Sequence, residues 1–540
     1  MDTLSFIVLC PAAGAAAIAL TPRRFQFLFR LIALGTTLFS LLGALALFAG
    51  FEPGTARIQF EEYMPWVDSV GIGFHLGADG LNLGLIVMAA LVGFAAAAAS
   101  REITDRQKEY YLLLLVMICG VLGTFASLDL FFFYFFHELA LVPTFLMMGI
   151  WGRGERRAYA TFKITIYLSL GALLVLLGLI GLYVVSDAKT FDVVELGRHL
   201  AAHPLSESAQ ATLFPLLLFG FGILVSLWPF HTWAPIAYDT APTATAMLHA
   251  GVLKKFGLYG LLRVAVPMLP AAARDWIGVL AVLCLGNLLY CGLVAMRQRN
   301  LTLLLGNSSV AHMGFVFLGI ASLTLVGITG AVVVMVAHGL LAALSFGLAG
   351  FLRERLGTVE FDNLGGLLQR MPFVGTALAL ALLAGCGLPG FANFPGEMLV
   401  LFGAWKAHPV VVSLAAWAGL VVGAVYALRA VRRLLHGPLP ARWAGLTDLA
   451  GAWPKTPFAL LLAALILLGC FPRLLTERIQ ATTLDIIHAV HGPSLAESPA
   501  TPNNPQTQPL QSSSSVAPAM TPMLLQKPPP TDARAQQEDS

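Results

Sequence analysis

The feature that most limits the fold is a succession of long apolar runs. They cover residues 4–20, 28–50, 81–100, 110–127, 129–151, 161–185, 212–229, 241–263, 275–295, 301–323, 328–351, 372–404, 409–428 and 457–472. A helix crosses the hydrocarbon core of a bilayer with ~20 apolar residues, so these read as about 14 spans. The expected fold class is an all-α polytopic membrane protein. The composition agrees: 58% of residues are hydrophobic and 11% charged, where soluble proteins carry about a quarter charged.

The placement of Lys and Arg sets the topology. Loops after odd-numbered runs, except the short one after the seventh, which has none, are rich in them: Arg23, Arg24 and Arg30; Arg101, Arg106 and Lys108; Arg153, Arg156, Arg157 and Lys163; Arg297 and Arg299; Arg353, Arg355 and Arg370; Arg429, Arg432, Arg433 and Arg442. Loops after even-numbered runs carry few. Odd loops are therefore expected in the cytoplasm and both termini outside. The first run lacks a basic leader and a clear cleavage site, so it is expected to be a span and not a signal peptide. In the outside stretch 51–80, Arg57–Phe60 and Gly71–Phe74 have strand character, which suggests a small hairpin. Residues 492–540 are rich in Pro, Ser, Gln and Thr and are expected to be a disordered tail.

The net charge of +3 says nothing about nucleic acid. There is no Walker loop and no dinucleotide fingerprint after a strand. The six cysteines lie in apolar runs without a CxxC pair and read as buried small hydrophobes. No cofactor or metal is expected within this chain.

The chain carries an internal echo. Trp228-Pro229-Phe230-His231-Thr232-Trp233-Ala234-Pro235 and Leu388-Pro389-Gly390-Phe391-Ala392-Asn393-Phe394-Pro395 both place two prolines six apart. Proline removes a donor and clashes with the preceding turn, so each segment is expected to break its helix. Such breaks survive only inside protein or along a cavity. The segments sit in runs seven and twelve, and an odd offset reverses direction across the membrane. This points to two inverted repeats, a transporter architecture. The expected organisation is 1–109 (spans one to three), 110–263 (first repeat), 275–428 (second repeat) and 429–475 (last span).

Ionisable residues inside the spans are the candidate machinery, since each costs roughly 2.5 kcal/mol or more at the bilayer centre. Glu138 lies mid-run, with Tyr134 one turn before it and Pro143 after it. Lys254 and Lys255 lie within run eight and point about 100° apart. His312 has Ser309 on its face, and His338 follows in the next run. Glu397 directly follows the second break. The series Glu138, Lys255, His312, His338 and Glu397 reads as acid, base, base, base, acid. No helical i, i+4 ligand pair is present, so a proton chain is favoured over a metal site.

The motifs "FHLGADGLN" from Phe74, "SLDLFFFYFFHELALVPTFLMMGIWG", "PFHTWAP", "APTATAMLHAGVLKKFGLYGLLR", "SSVAHMGFVFLGI", "AHGLLAALSFGLAGFLRER" and "GLPGFANFPGEMLVLFG" resemble those of the subunit M family of bacterial NADH:quinone oxidoreductase (respiratory complex I). The resemblance covers about residues 1–475. It implies 14 spans, two inverted five-helix repeats, a bacterial inner-membrane location and proton translocation. It also implies neighbouring L- and N-type antiporter-like subunits, with flavin and iron–sulfur clusters in partner subunits. Residue by residue, Glu138 resembles the family's fifth-helix glutamate and Lys255 its eighth-helix lysine. His312 and His338 resemble the central histidines. Glu397 resembles the exit-side glutamate, where the L and N types usually carry lysine.

One departure concerns the seventh helix. The family usually carries a Phe-x-x-Lys pattern there, and here the residues are Phe221-Gly222-Ile223-Leu224. Leu224 cannot pair with Glu138, so Lys254 is the expected replacement, with His137 a weaker one. Other readings are a subunit of a multisubunit sodium/proton antiporter or membrane-bound hydrogenase, or a structural spacer that no longer pumps.

Overall fold

The computed structural model describes residues 3–492. The helices are α1 (Thr3–Leu20), α2 (Gln26–Gly50), α3 (Leu83–Ala99), α4 (Gln107–Ala126), α5 (Leu130–Trp151), α6 (Arg157–Ser186), α7 (Val193–Ala202), α8 (Glu207–Val225) and α9 (Trp233–Thr240). They continue with α10 (Thr243–Leu248), α11 (Lys255–Gly260), α12 (Val266–Met268), α13 (Pro270–Leu285), α14 (Gly292–Arg297), α15 (Leu301–Ala321) and α16 (Leu325–Leu356). The last are α17 (Pro372–Ala384), α18 (Asn393–Ala404), α19 (Pro409–Ala416), α20 (Gly423–Leu435), α21 (Ala452–Cys470) and α22 (Arg473–His491). Eleven helices, some of them joined pairs, are long and apolar enough to cross a membrane. Every apolar run of the sequence is covered by one or more helical segments, with the seventh and twelfth runs interrupted by a gap. Short π-helical turns link α10 to α11, α11 to α12, α13 to α14 and α19 to α20; such turns insert a residue into the i→i−4 ladder and recur at functional sites.

Side-chain caps separate adjacent runs. Asp129 Oδ1 accepts from Phe131 N and Phe132 N at the start of α5, at 2.8 and 3.1 Å. Asn300 and Thr324 do the same for α15 and α16. Each satisfies amides that the first turn leaves unpaired.

The expected hairpin forms from β1 (Gln59–Val67) and β2 (Ile72–Ala78), paired antiparallel. Glu62 accepts from Leu4 N at 2.7 Å, and Gly73 N donates to Asp129 Oδ2 at 3.1 Å. His75 Nδ1 bonds Asp192 Oδ2, and its Nε2 lies 3.0 Å from Glu61. Burial works against the charge on His75, but Asp192 and Glu61 outweigh it and raise its pKa. Burial likewise pushes Asp192 up, but His75 and two backbone amides bring it below the usual carboxylate range. At the opposite end of the bundle lie the arginine-bearing loops. There Glu102 accepts from Thr243 N at 2.7 Å and pairs with Arg153, and Arg353 pairs with Asp239.

Both proline segments interrupt the helices, at 226–232 between α8 and α9 and at 385–392 between α17 and α18. Only the first proline of each lies in the gap. Pro235 and Pro395 sit in the first turn of the next helix, where a missing N–H costs nothing. Each segment therefore breaks its helix once, and its second proline starts the next helix. The first gap is held by Asn287, whose Oδ1 accepts from Trp228 N at 2.8 Å while Nδ2 donates to Ser226 O at 3.0 Å and Val310 O at 3.1 Å.

Two ordered helices went unforeseen. The amphipathic α7 follows the strand-like 190–192 segment. Beyond the last expected span, which ends near residue 475, α22 crosses the hairpin-side ends of other helices. Its Thr482 Oγ accepts from Gly80 N at 3.1 Å, Arg274 bonds Val490 O, and His491 bonds Leu323 O at 3.3 Å. A Cβ on Gly80 would collide with the carbonyl oxygen of Arg478, so this close approach requires glycine. The expected disordered tail lies outside the described residues, apart from Gly492. Among the cysteines, Cys119, Cys284 and Cys291 are buried as expected, but Cys470 is exposed.

Candidate functional site

Lys255, His338, His312 and Glu397 form one buried file. Lys255 is 0% exposed, His338 1%, His312 5% and Glu397 2%. Lys255 Nζ donates to Ala250 O at 2.8 Å, the carbonyl of the π turn before it, and lies 2.9 Å from His338 Nδ1. The rings of His338 and His312 are 5.4 Å apart. His312 Nε2 lies 3.8 Å from Glu397 Oε1. The order in space is thus 255, 338, 312, 397, which differs from the order along the chain.

His312 is held by two carbonyls. Ser308 O lies 2.7 Å from Nδ1, and Gly385 O, freed by the second break, lies 3.0 Å from Nε2. A neutral imidazole has one N–H, whereas an imidazolium can donate to both. The ring therefore sits where an added proton would be held between two backbone oxygens. Ser308, not Ser309, is the serine on His312.

Glu397 is packed tightly. A Cβ on Gly387, whose φ is +69°, would stand 2.6 Å from Glu397 Oε2. Glu397 Oε1 and both amide atoms of Asn393, one turn earlier, are buried without a hydrogen-bond partner. A polar pocket with unpaired groups is where water orders. Next to it is a cavity of about 30 Å³ lined by Ser308, Ser309, His312, His338, Ser345 and Tyr426, enough for a water or two. Ser308 Oγ and Tyr426 Oη close one side at 2.9 Å.

Lys254 is fully buried and reaches Ser309, which lines this cavity. Its ammonium lies 3.3 Å from Ser309 Oγ and 5.6 Å from the centre of the Tyr238 ring. The expected pairing of Lys254 with Glu138 is not formed. Pointing about 100° from Lys255 does separate the two lysines, but both turn toward α15 and α16. Glu138 instead has His137 Nδ1 at 3.4 Å, and Tyr134 lies 6.0 Å from the His137 ring. About a third of the Glu138 side chain (33%) is exposed on the surface of this chain, among the exposed Phe135 and Val142. Leu224 packs on α6, where a Cβ on Gly171 would stand 3.1 Å from Leu224 Cδ2.

Several polar residues of this region were not singled out in the sequence. His249 is buried, has Tyr238 Oη 3.4 Å from its Nδ1, and leaves Nε2 without a partner. Asn287, Asn393 and Tyr426 are each a lone polar group in an apolar run, and that was the one signal available. The carbonyls of Ala250 and Gly385 carry no sequence signal beyond the break motif.

A buried lysine–histidine–glutamate file, threaded between helices interrupted by proline gaps and π turns, defines an antiporter-like polytopic membrane subunit. The family described as "NADH:quinone oxidoreductase/Mrp antiporter, TM" matches residues 127–423. "NADH-quinone oxidoreductase subunit M" of Rhodobacter capsulatus is 34% identical over 503 residues, covering 91% of this chain and 97% of that protein. In the solved structure "Respiratory complex I from Thermus thermophilus with bound NADH", one chain matches with a TM-score of 0.83 at 30% identity, covering 91% of this chain and 100% of that one. A chain of "Structure of Mrp complex from Dietzia sp. DQ12-45-1b" shares the fold, with a TM-score of 0.77 at 19% identity and cover of 91% and 100%. The chain belongs to the subunit M (chain 4) family of NADH-quinone oxidoreductases.

Proposed function

We propose that this chain moves protons across the membrane through the file Lys255–His338–His312–Glu397, driven by electron transfer in partner subunits of a quinone reductase. The carrying observation is the spacing of 2.9 Å from Lys255 to His338 and 3.8 Å from His312 to Glu397. Each group changes charge by one proton, and the His338–His312 step lies beside the water-sized cavity. Glu397 is the exit-side group, with Asn393 holding water against it. Lys254 joins the same cavity through Ser309 and acts as a second cation that shifts the load between sites.

In this reading the chain has 14 spans, with α9 and α18 completing the broken seventh and twelfth. The repeats are 110–263 and 275–428, inverted with respect to each other. Both described ends and the hairpin lie on one side, which the positive-inside rule assigns to the outside. L- and N-type subunits flank the chain, and the flavin and iron–sulfur clusters belong to partners. Glu138 works at the boundary with a neighbour, since a third of its side chain reaches the surface of this chain.

The test is Glu397→Gln in the assembled complex, reconstituted in vesicles. Quinone reduction with reduced proton uptake per electron supports the file. Unchanged pumping refutes it. A second reading, a spacer that no longer pumps, draws on Leu224, which leaves Glu138 without a lysine. It requires that Glu397→Gln, Lys255→Met and wild type give the same proton yield.

A further inference from the structure

A cationic cleft lies at the arginine-loop end of the bundle, one turn of α20 beyond Tyr426 on the file's cavity. It is formed where α14, the loop after it, the turn at 361–363 and the end of α20 meet. A cavity of about 270 Å³ is lined by Arg297, Arg299, Arg429 and Arg433. A second, more open cavity of about 640 Å³ shares Arg429 and Arg433 and adds Arg432 and His436. One carboxylate, Asp362, faces these five guanidinium groups, and it sits 3.5 Å from Arg299 in an exposed pair.

Arg429 is anchored but not neutralised. One guanidinium nitrogen donates to Gln298 O, and the group lies 5.8 Å from the centre of the Phe361 ring. Its Nε is buried without a partner. Among the described residues no carboxylate lies within ion-pair distance of Arg297, Arg429, Arg432 or Arg433. Like charges packed this way repel, and guanidinium groups match phosphate oxygens in a two-pronged fashion.

The surface leading from the cleft toward the membrane interior is apolar and exposed. Leu293 lies on α14, one turn before Arg297. Val425 and Leu428 lie on α20, just before Arg429. Charge at the interface and apolar side chains directly above it match the two parts of a phospholipid.

We propose that this cleft binds the phosphate of an anionic phospholipid, with its acyl chains lying along α14 and α20. Lipid is favoured over free phosphate because the apolar strip continues the cleft. It is favoured over an acidic protein segment because that strip offers such a segment nothing to pair with.

The test uses the assembled complex and a photoactivatable phosphatidylglycerol, with labelled peptides mapped by mass spectrometry. Label is expected in 292–300 and 423–436. Unlabelled phosphatidylglycerol competes, whereas phosphatidylcholine and inorganic phosphate at the same concentration do not. Arg429→Gln with Arg433→Gln lowers this label about tenfold, in line with losing two charge-assisted contacts. The double Lys variant keeps most of it, which separates loss of charge from loss of fold. Equal competition by inorganic phosphate overturns the lipid assignment. Label absent from both segments, or unchanged in the Gln variant, overturns the site. Cross-links from the cleft to an acidic partner segment, with no lipid label, also overturn it.

Discussion

Arg263 grips Asp79 with two parallel hydrogen bonds, of 2.6 and 2.7 Å. Asp79 Oδ1 also accepts from Leu81 N and Asn82 N, and Asn82 Nδ2 reaches Gly77 O and Phe125 O. The Gly-Ala-Asp-Gly-Leu-Asn motif is thus a clamp joining the hairpin, α3, α4 and the π turn Leu261–Ala265 after α11. Breaking one partner of a buried pair costs about 3–5 kcal/mol. Asp79→Asn should lower the thermal midpoint of the solubilised complex and release this subunit first. An unshifted midpoint would show that the pair is dispensable.

On the proposed proton route, the spatial order of the file would make its members act in series. His338→Gln and His312→Gln should each reduce the proton yield per electron, and the double variant should be no worse than the more damaging single one. Groups in one chain are expected to be non-additive in this way. Losses that multiply in proteoliposome measurements would mean two separate routes.

Lys254 bonds Ser309 and not Glu138, so the missing seventh-helix lysine is not replaced by it. Leu224→Lys should fail to restore activity lost in Lys254→Met, while Ser309→Ala should reproduce part of the Lys254→Met defect. Rescue by Leu224→Lys in a quinone-reductase assay would reinstate a shared role for the two positions.

The His75–Asp192 contact ties the hairpin to the loop before α7. The folded pKa of His75 is raised, so its contribution is full below about pH 6.5 and fades as pH climbs through the raised value. The lowered Asp192 contributes above about pH 4 and is lost as pH falls through its folded value. Amide exchange of residues 72–78, corrected for intrinsic rates, should therefore rise above the chemical trend in alkali. His75→Gln should abolish that excess. A wild-type profile that follows chemistry alone would contradict this.

Two truncations separate α22 from the residues beyond it. Deleting residues after 495 leaves every contact of Thr482, Val490 and His491 in place, and complex yield should be unchanged. Deleting from Arg473 onward removes them and should cut yield several-fold, read on native gels. Equal yields from the two truncations would deny α22 any structural part.

Much of this was legible in the sequence because the bilayer is a demanding solvent. Hydropathy marks spans, proline pairs mark gaps, and a charge at depth marks itself; Lys255, His338, His312 and Glu397 were all visible that way. What was hidden depends on direction. Periodicity does not say that Lys254 turns to Ser309, because the π turn His249–Leu253 shifts the register just before it. Nor does it show that His312 hangs between two carbonyls, since backbone acceptors have no letter. Asn287 and Asn393 passed as ordinary polar interruptions until the gaps they serve were in view. The helix α22 escaped because its burial is one-sided and its mean hydropathy low.

The helix α22 reaches across the molecule. It bonds Gly80 at the entrance to α3, its Val490 meets Arg274 in the first turns of α13, and His491 reaches Leu323 between α15 and α16. One rod is thereby pinned both to the N-terminal part of the chain, at Gly80, and to α13 and the α15–α16 turn. Many transporters work by rocking one half against the other around a fixed site. Here any motion of α13, α15 or α16 against the entrance to α3 would have to tear the rod from one of its anchors. For the proposed proton route, the strap therefore favours a stationary frame of α3, α13, α15 and α16, in which the traffic would be carried by side-chain swings, charge shifts and rearranging water.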